Sequence, residues 1–463
     1  MSGRSYDLVI LGAGPAGYVA AVRAVELGFR VAVVEGRRLG GECTNWGCIP
    51  SKAIINAAKL AKSAKLGRRA GVSLRLEGVD PKKVLDFARR ASTRSREGVR
   101  LLLSEVDIYE GFGRLAKGGV AVGDRVLETK RVLVATGTDP APVPGIEFDG
   151  EAIISNREFF EASQIPSSIL IIGAGAIGAE IGQALARLGT KVTVVEIMER
   201  PLPYTDPEAG DVIARALKKD GVKLYTSSKV AEVRREGSEA VVRVATPKGT
   251  VEVRVEKVLI AAGRRPNTSG IGLEEAGVEL AGKGWVITND YLQTSNPAIY
   301  AAGDVAGPPY LAHKAYREAI IAVEHAAGKE PWLPRGPVPS VIFTDPEVGY
   351  VGLMEAEARK AGLQVATVKY PYTALPKDYT TYSPTSTGFL KLVYEEGTGR
   401  ILGAVAVGNS AAEIIHEVTL AITNRLTIKE LAKTIHSHPT YSEAVGEAAY
   451  TALGMPIHGK EAQ

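Results

Sequence analysis

The chain has 463 residues, 45% of them hydrophobic and 23% charged, with a formal net charge of +4. That length accommodates about three domains of roughly 100–200 residues and a core that needs no disulfide staples; a charge this close to balance, without a polybasic tail, argues against nucleic acid. No cleavage-type hydrophobic segment precedes the first strand and no uninterrupted apolar run reaches the ~18 residues of a membrane span, so the expectation is a cytoplasmic protein with no membrane partner.

The first element is the apolar strand of "YDLVILGAGPAG", followed by a helix, "YVAAVRAVELG", and a second strand, "RVAVVE". The same order returns in "SSILIIGAGAIG", "AEIGQALARLG" and "KVTVVE". Gly12, Gly14 and Gly17 of the first copy correspond to Gly173, Gly175 and Gly178 of the second. Glu35 and Glu196 each stand 23 positions beyond the first glycine of their copy. One such glycine pattern is a weak signal. Two, each after a strand, before a helix and with an acid at the right distance, predict two dinucleotide-binding folds. The glycines make the tight turn, admit a pyrophosphate to the backbone and let helix pack on strand, while the helix N-terminus offers free N–H groups to the phosphates. Each glutamate can accept from a ribose diol and would repel a 2′-phosphate, so the second copy is expected to prefer NAD to NADP.

After the first copy comes "GGECTNWGCIPSK", which holds both cysteines of the chain, Cys43 and Cys48. Such a pair can be inert, half of a metal site or a redox couple. A structural zinc wants four ligands and no further cysteine exists, so no metal is expected. Pro50 suits the first turn of a helix, which puts Cys48 near a helix N-terminus, where a thiol is acidified and disulfide exchange is favoured. In a reducing compartment a disulfide is usually transient and catalytic.

Further along, "VDPKKVLDFARRASTRSREGVRLLLSEV" reads as a basic helix with a solvated face. "RVLVATGTDPAPVPG" is a strand that breaks at prolines, a domain crossing; "KVLIAAGRRPNT" is its counterpart in the second copy. "NPAIYAAGDVAG" ends a strand, and a helix starts near Leu311. From about Val338 the pattern becomes several strands followed by helices. The tyrosine-rich segment 370–382 reads as an interface or surface loop.

The cysteine segment resembles the redox-active motif of the flavin-dependent disulfide reductases, and "HSHPTYSE" resembles that family's active-site segment. With the two fingerprints, the Ala-Thr-Gly strand, "GRRPNT" and "YAAGDV", the resemblance covers essentially the whole chain. It implies an α/β fold with two Rossmann-like dinucleotide-binding domains and a C-terminal α+β dimerisation domain. The expected boundaries are 1–147 for the FAD domain with the redox disulfide, 148–267 for the NAD domain, 268–337 for a central segment completing the FAD domain, and 338–463 for the interface domain. FAD is expected on the first fingerprint and NAD on the second. Cys48 is expected to face the flavin and Cys43 to meet substrate. His438, held by Glu443, is expected to move protons between them from the other subunit of a homodimer.

By the same resemblance Lys52 pairs with Glu180 beside the flavin, and Thr136, Gly137, Asp304, Ala312 and His313 complete the FAD contacts. Gly263 and Arg264 fall at the nicotinamide-domain boundary. Within the family the match is nearest to the branch that oxidises dihydrolipoyl groups with NAD. The implied partner is the lipoyl domain of a 2-oxoacid dehydrogenase complex or of the glycine cleavage system. Glu42, Thr44 and Trp46 depart from that branch and are expected to alter the substrate entrance. The alternatives are an NADPH-dependent reductase of another small disulfide, resembling glutathione reductase, and a flavoprotein scaffold. The intact cysteine pair, His438 and Glu443 speak against the scaffold.

Overall fold

The structure is a computed structural model that describes residues 5–459 apart from 334 and 385. The described chain forms two compact units. One comprises the chain up to Ala53 with Asp86–Ala141 and Gly263–Arg335; the other comprises Ile54–Leu85, Pro142–Ala262 and the chain from Gly336 onward.

The first unit is built on a five-stranded sheet in the order Ile299–Ala301, Val132–Val134, Leu8–Leu11, Val31–Glu35, Asp107–Glu110, with every neighbouring pair parallel. Its strands read as continuous apolar runs because both faces are covered. On one face the helices Pro15–Glu26 and Ala312–Ala326 bury Ala20, Ala24, Ala319 and Ala322 against Leu8 and Ile10. The small residues on both helices let them approach closely. On the other face Val9, Leu11 and Val134 meet Val120 and Leu127. These two come from an antiparallel sheet of Gly113–Ala116, Gly119–Val122 and Arg125–Glu128. The basic segment forms the helix Pro81–Leu102.

The second unit repeats that plan. A parallel sheet runs Lys223–Tyr225, Lys191–Val195, Ser168–Ile172, Lys257–Ile260, Ile153–Ile154. An antiparallel sheet of Lys229–Glu236, Glu239–Thr246 and Gly249–Val255 packs on it through Val242, Val244 and Leu170. The unit also contains an antiparallel five-stranded sheet, ordered Ser340–Ile342, Glu347–Gly352, Ile401–Gly408, Phe389–Glu395, Val365–Pro371. The helices Ala411–Thr423 and Glu443–Ala452 cover it. Tyr370 and Tyr372 of the tyrosine-rich segment lie in that core, whereas Tyr379 and Tyr382 are exposed, so the surface-loop expectation holds only for its second half. No helix of the described residues is long and apolar enough to cross a membrane.

Candidate active site

Both fingerprints close in the same way. A Cβ on Gly17 would lie 1.9 Å from the Gly12 carbonyl oxygen, and a Cβ on Gly178 would lie 1.9 Å from that of Gly173. The helices that follow begin at Gly14 and Gly175 without a side-chain cap, so their first N–H groups stay open to a ligand. Glu35 accepts the Ala13 N–H at 2.7 Å on one oxygen and the Arg37 N–H at 2.7 Å on the other. Glu196 does the same with Ala174 at 2.6 Å and Met198 at 2.9 Å. Each carboxylate thus ties the glycine turn to the end of the second strand, and each oxygen keeps a further lone pair for a ribose hydroxyl. Burial pushes the Glu35 carboxyl above its ordinary range, against the pull of those N–H bonds.

The cysteine segment is seated directly on the first turn. Gly40 donates its N–H to the Ala13 carbonyl at 2.8 Å. At Gly41 a Cβ would stand 2.7 Å from the Gly14 Cα, and φ is +59°. Only glycine meets both conditions, which accounts for the Gly-Gly before the motif. A short helix, Gly41–Trp46, then carries Cys43, and Cys48 opens the helix Cys48–Leu66. Cys43 and Cys48 form a disulfide with their Cα atoms 4.7 Å apart. The long helix starts two residues before Pro50, which sits in the first turn, where a missing N–H loses no bond. The Cys48 backbone therefore stands at the positive end of a 19-residue helix. Asn45 pins the short helix by donating to the carbonyls of Leu39 and Gly41 at 3.0 and 2.9 Å, and it accepts from Arg96 at 3.0 Å. Thr44 and Trp46 are buried, Trp46 with the Arg38 guanidinium 5.1 Å from its ring, so they help to seat this segment.

A polar chain runs from Glu42 toward the end of the strand Ile299–Ala301. Arg264 faces Glu42 at 3.5 Å and donates to the Thr138 hydroxyl at 2.6 Å and its carbonyl at 2.8 Å. The Thr138 hydroxyl donates to Asp304 at 3.0 Å. Burial raises the Asp304 carboxyl, and the Arg264 charge partly offsets this. Arg264, expected at the nicotinamide boundary, thus engages groups of the first unit, with Gly263 beside it in open space. Thr136 donates to the Asn267 carbonyl at 2.8 Å, and Gly137 accepts the Asn267 N–H at 3.0 Å. Asn267 also bonds Asp139, which holds Arg37 through two bonds of 2.8 and 2.9 Å. Thr138, Asp139 and Arg37 were not among the expected site residues. Their only sequence signal is adjacency, in "ATGTDP" and just after Glu35.

Ala312 and His313 open the helix Ala312–Ala326, with His313 exposed. The next residue, Lys314, is buried on the carbonyls of Gly303 and Gly307 and on Glu318, which also takes the Gly303 N–H at 2.9 Å. This fixes the turn that presents Asp304. Lys52 belongs to the first unit and is half-buried. Glu180 belongs to the second, is buried and accepts the Phe343 N–H at 2.9 Å.

In the second unit His438 Nδ1 lies 2.8 Å from Glu443, whose other oxygen accepts the Thr440 N–H at 2.7 Å. That bond assigns the proton to Nδ1 and leaves Nε2 free to accept one. The His438 side chain is 64% exposed while Glu443 is mostly covered, so the imidazole presents its far edge outward. A second pair stands beside it. His436 Nε2 lies 2.9 Å from Glu417, and a Cβ on Gly446 would come within 2.9 Å of its Nδ1. The Glu417 hydrogen bond raises the His436 pKa. Sequence reading passed over His436, whose partner lies 19 residues away. His325 and His458 bond Tyr300 and Glu447 respectively.

Two nucleotide-binding turns, a disulfide set against one of them and a carboxylate-held histidine define a pyridine nucleotide- and flavin-dependent disulfide oxidoreductase. The chain belongs to the pyridine nucleotide-disulphide oxidoreductase family: residues 6–319 match that family and residues 338–449 match its dimerisation domain. It is 39% identical over 461 residues to the dihydrolipoyl dehydrogenase of Thermus scotoductus, covering 98% of this chain and 99% of that one. It is 38% identical over 478 residues to a dihydrolipoyl dehydrogenase of Bacillus subtilis, with 98% and 99% covered. Among solved structures, LpdA from Mycobacterium tuberculosis superposes with a TM-score of 0.85 at 30% identity, over 96% of this chain and 99% of that one. The flavoprotein disulfide reductase RclA of Escherichia coli shares the fold, with a TM-score of 0.85 at 24% identity over 97% of this chain and 99% of that one.

Proposed function

We propose that the chain oxidises protein-bound dihydrolipoyl groups to lipoyl and reduces NAD. The observation that carries this reading is the Cys43–Cys48 disulfide seated on the first glycine turn. That turn fits FAD. It combines an uncapped helix N-terminus for the pyrophosphate, a glutamate with spare lone pairs for the ribose and the half-buried Asp304 carboxylate for a hydroxyl chain. The second turn offers NAD the same uncapped helix N-terminus and latched glutamate, with Glu196 excluding a 2′-phosphate, which weighs against the NADPH-dependent alternative. When bound, FAD carries two electrons between the dithiol and NAD.

His438 takes the proton of one substrate thiol at Nε2, and Glu443 steadies the imidazolium that results. The substrate thiolate attacks Cys43 Sγ, the Cys43–Cys48 bond breaks, and Cys48 leaves as a thiolate favoured by its helix N-terminus. The second substrate thiol then displaces Cys43 from the mixed disulfide and passes its proton to the departing Cys43 thiolate, closing lipoyl and leaving Cys43 as a thiol and Cys48 as a thiolate. Re-forming the Cys43–Cys48 disulfide would release two electrons and the Cys43 proton, to be taken up by NAD as a hydride, while the other proton leaves His438 for solvent. Lys52 would serve beside the flavin, with Thr136, Gly137, Ala312 and His313 as residues that would line it. Arg264 would hold Glu42 and Thr138 in place near the flavin, with Gly263 beside it.

The homodimer that the dimerisation domain supports would bring His438 of one subunit to the cysteines of the other. The exposure of the imidazole edge accords with that arrangement. The partner would be the lipoyl domain of a 2-oxoacid dehydrogenase complex or of glycine cleavage. The test is NAD reduction by dihydrolipoamide, with NADP in parallel and NADPH plus glutathione disulfide as the contrary pair. Turnover with dihydrolipoamide and NAD is expected; turnover only with the contrary pair would overturn the assignment.

A further inference from the structure

The tyrosine-rich segment 370–382 has no part in the chemistry above, yet half of it is in the core. Tyr372 is fully buried, its ring so close to Gly408 that a Cβ there would stand 2.5 Å from it. The ring of Tyr441 packs on Tyr372 with centroids 5.3 Å apart. Tyr441 lies between His438 and Glu443, in the loop that carries the proton-transfer pair. Its hydroxyl donates to Asp378 at 3.0 Å and accepts from Asn409 at 2.9 Å; Asn409 in turn donates to the Ser383 carbonyl at 3.1 Å. Asp378 is 3% exposed and Tyr441 7%. Burial pushes the Tyr441 phenol up to about 12, so it remains a donor at working pH.

We infer that segment 370–382 is the buttress of the His438 loop, with Asp378, Asn409 and Tyr441 as positioning residues for proton transfer. The connection is short. The Tyr441 carbonyl accepts the Ala444 N–H at 3.1 Å, so the placement of Tyr441 sets where the helix Glu443–Ala452 starts. Glu443 sits at that start, holds His438 on one oxygen and holds the Thr440 N–H on the other. Thr440 closes the loop by donating its hydroxyl to the Ser437 carbonyl at 2.8 Å. Loss of the Tyr441 hydroxyl leaves ring packing intact but takes one hydrogen bond from the buried Asp378 carboxylate and one from the Asn409 amide, which lets the loop relax. A relaxed loop misplaces His438 Nε2, and positional errors of ~1 Å can slow a reaction by roughly 100-fold.

The inference rests on His438 as the proton-transfer group, and the test separates the two. Tyr441→Phe and Asp378→Asn are compared with the parent holoenzyme for dihydrolipoamide:NAD turnover and for NADH:ferricyanide turnover, which needs no proton from a thiol. We expect Tyr441→Phe to lower kcat with dihydrolipoamide by about tenfold. KM and the ferricyanide rate should hold, and the acid limb of the pH profile should move. Asp378→Asn should show the same split, less severely, and the double variant should be no worse than Tyr441→Phe alone. Tyr379→Phe, exposed and bonded only to the Thr373 carbonyl among its described partners, should change nothing. Unchanged dithiol turnover in both variants, or both activities falling together with Tm, would overturn the buttress. A parent protein inactive on dihydrolipoamide would instead sink the lipoyl assignment. The buttress is then read from the pH dependence of the long-wavelength thiolate-to-flavin band in the two-electron-reduced protein. That dependence should shift in Tyr441→Phe; an unshifted one would overturn the inference.

Discussion

In both nucleotide-binding folds the third glycine of the turn is pressed onto the carbonyl of the first, at Gly17 against Gly12 and at Gly178 against Gly173. Both turns are latched by a glutamate that accepts two backbone N–H groups. The folds part at the middle glycine. Gly14 faces Gly41 of the cysteine segment, with 3.8 Å between the Gly41 Cα and the site of a Cβ on Gly14; a Cβ on Gly175 would meet nothing within 4 Å. One skeleton thus serves two purposes. The first turn is roofed by the chain that carries the disulfide, as suits a cofactor that stays. The second is open, as suits a nucleotide that binds and leaves with each turnover.

The largest effects that test this contrast come from adding one methyl to each side. Gly41→Ala forces a Cβ onto the Gly14 backbone at a positive φ, and strain of this kind costs about 1–3 kcal/mol. Thermal unfolding and bound flavin per chain should both fall. Gly175→Ala should keep fold and flavin and raise only the KM for NAD. Flavin loss in Gly175→Ala as large as in Gly41→Ala would break the comparison.

Next in size are the latches. Glu→Gln offers an N–H₂ to one backbone N–H in place of an acceptor, a loss of about 1–3 kcal/mol where the group is buried. Glu35→Gln should weaken flavin retention. Glu196→Gln should raise the NAD KM about tenfold, equivalent to ~1.4 kcal/mol, and narrow the preference over NADP. Steady-state kinetics with both nucleotides and flavin release on dilution distinguish the two positions.

The smallest effect is a pH dependence outside both folds. His436 has its pKa raised by Glu417. A histidine raised on folding stabilises fully below its unfolded value, about 6.5, and the stabilisation declines as pH rises through the folded value. The unfolding midpoint of the parent should fall across that interval relative to His436→Gln. Parallel curves would remove His436 from the account.

What was legible in the sequence was local. The fingerprints announce themselves through strand, turn and helix within about 30 residues, and the cysteines through spacing and a following helix. His438 and Glu443 lie five residues apart on one turn. What was not legible depends on residues that meet across the fold. Glu42 faces Arg264, a partner from a distant strand that no local pattern announces. Trp46 is buried, with the Arg38 guanidinium over its ring. Tyr372 sits among polar residues and prolines, with no periodicity to mark it as core, yet the sheet Val365–Pro371 and Phe389–Glu395 delivers it beneath Tyr441. Helix and strand periods report which face is buried, not which distant polar group will be waiting there.

The central claim is the division of labour in the disulfide, with Cys43 meeting substrate and Cys48 facing the flavin. The holoenzyme is reduced anaerobically by two electrons, given a brief pulse of iodoacetamide, and digested, and the alkyl group is located by mass spectrometry. The account predicts a label on Cys43, with the long-wavelength thiolate-to-flavin band retained. A label on Cys48, with Cys43 protected and the band lost, would contradict it.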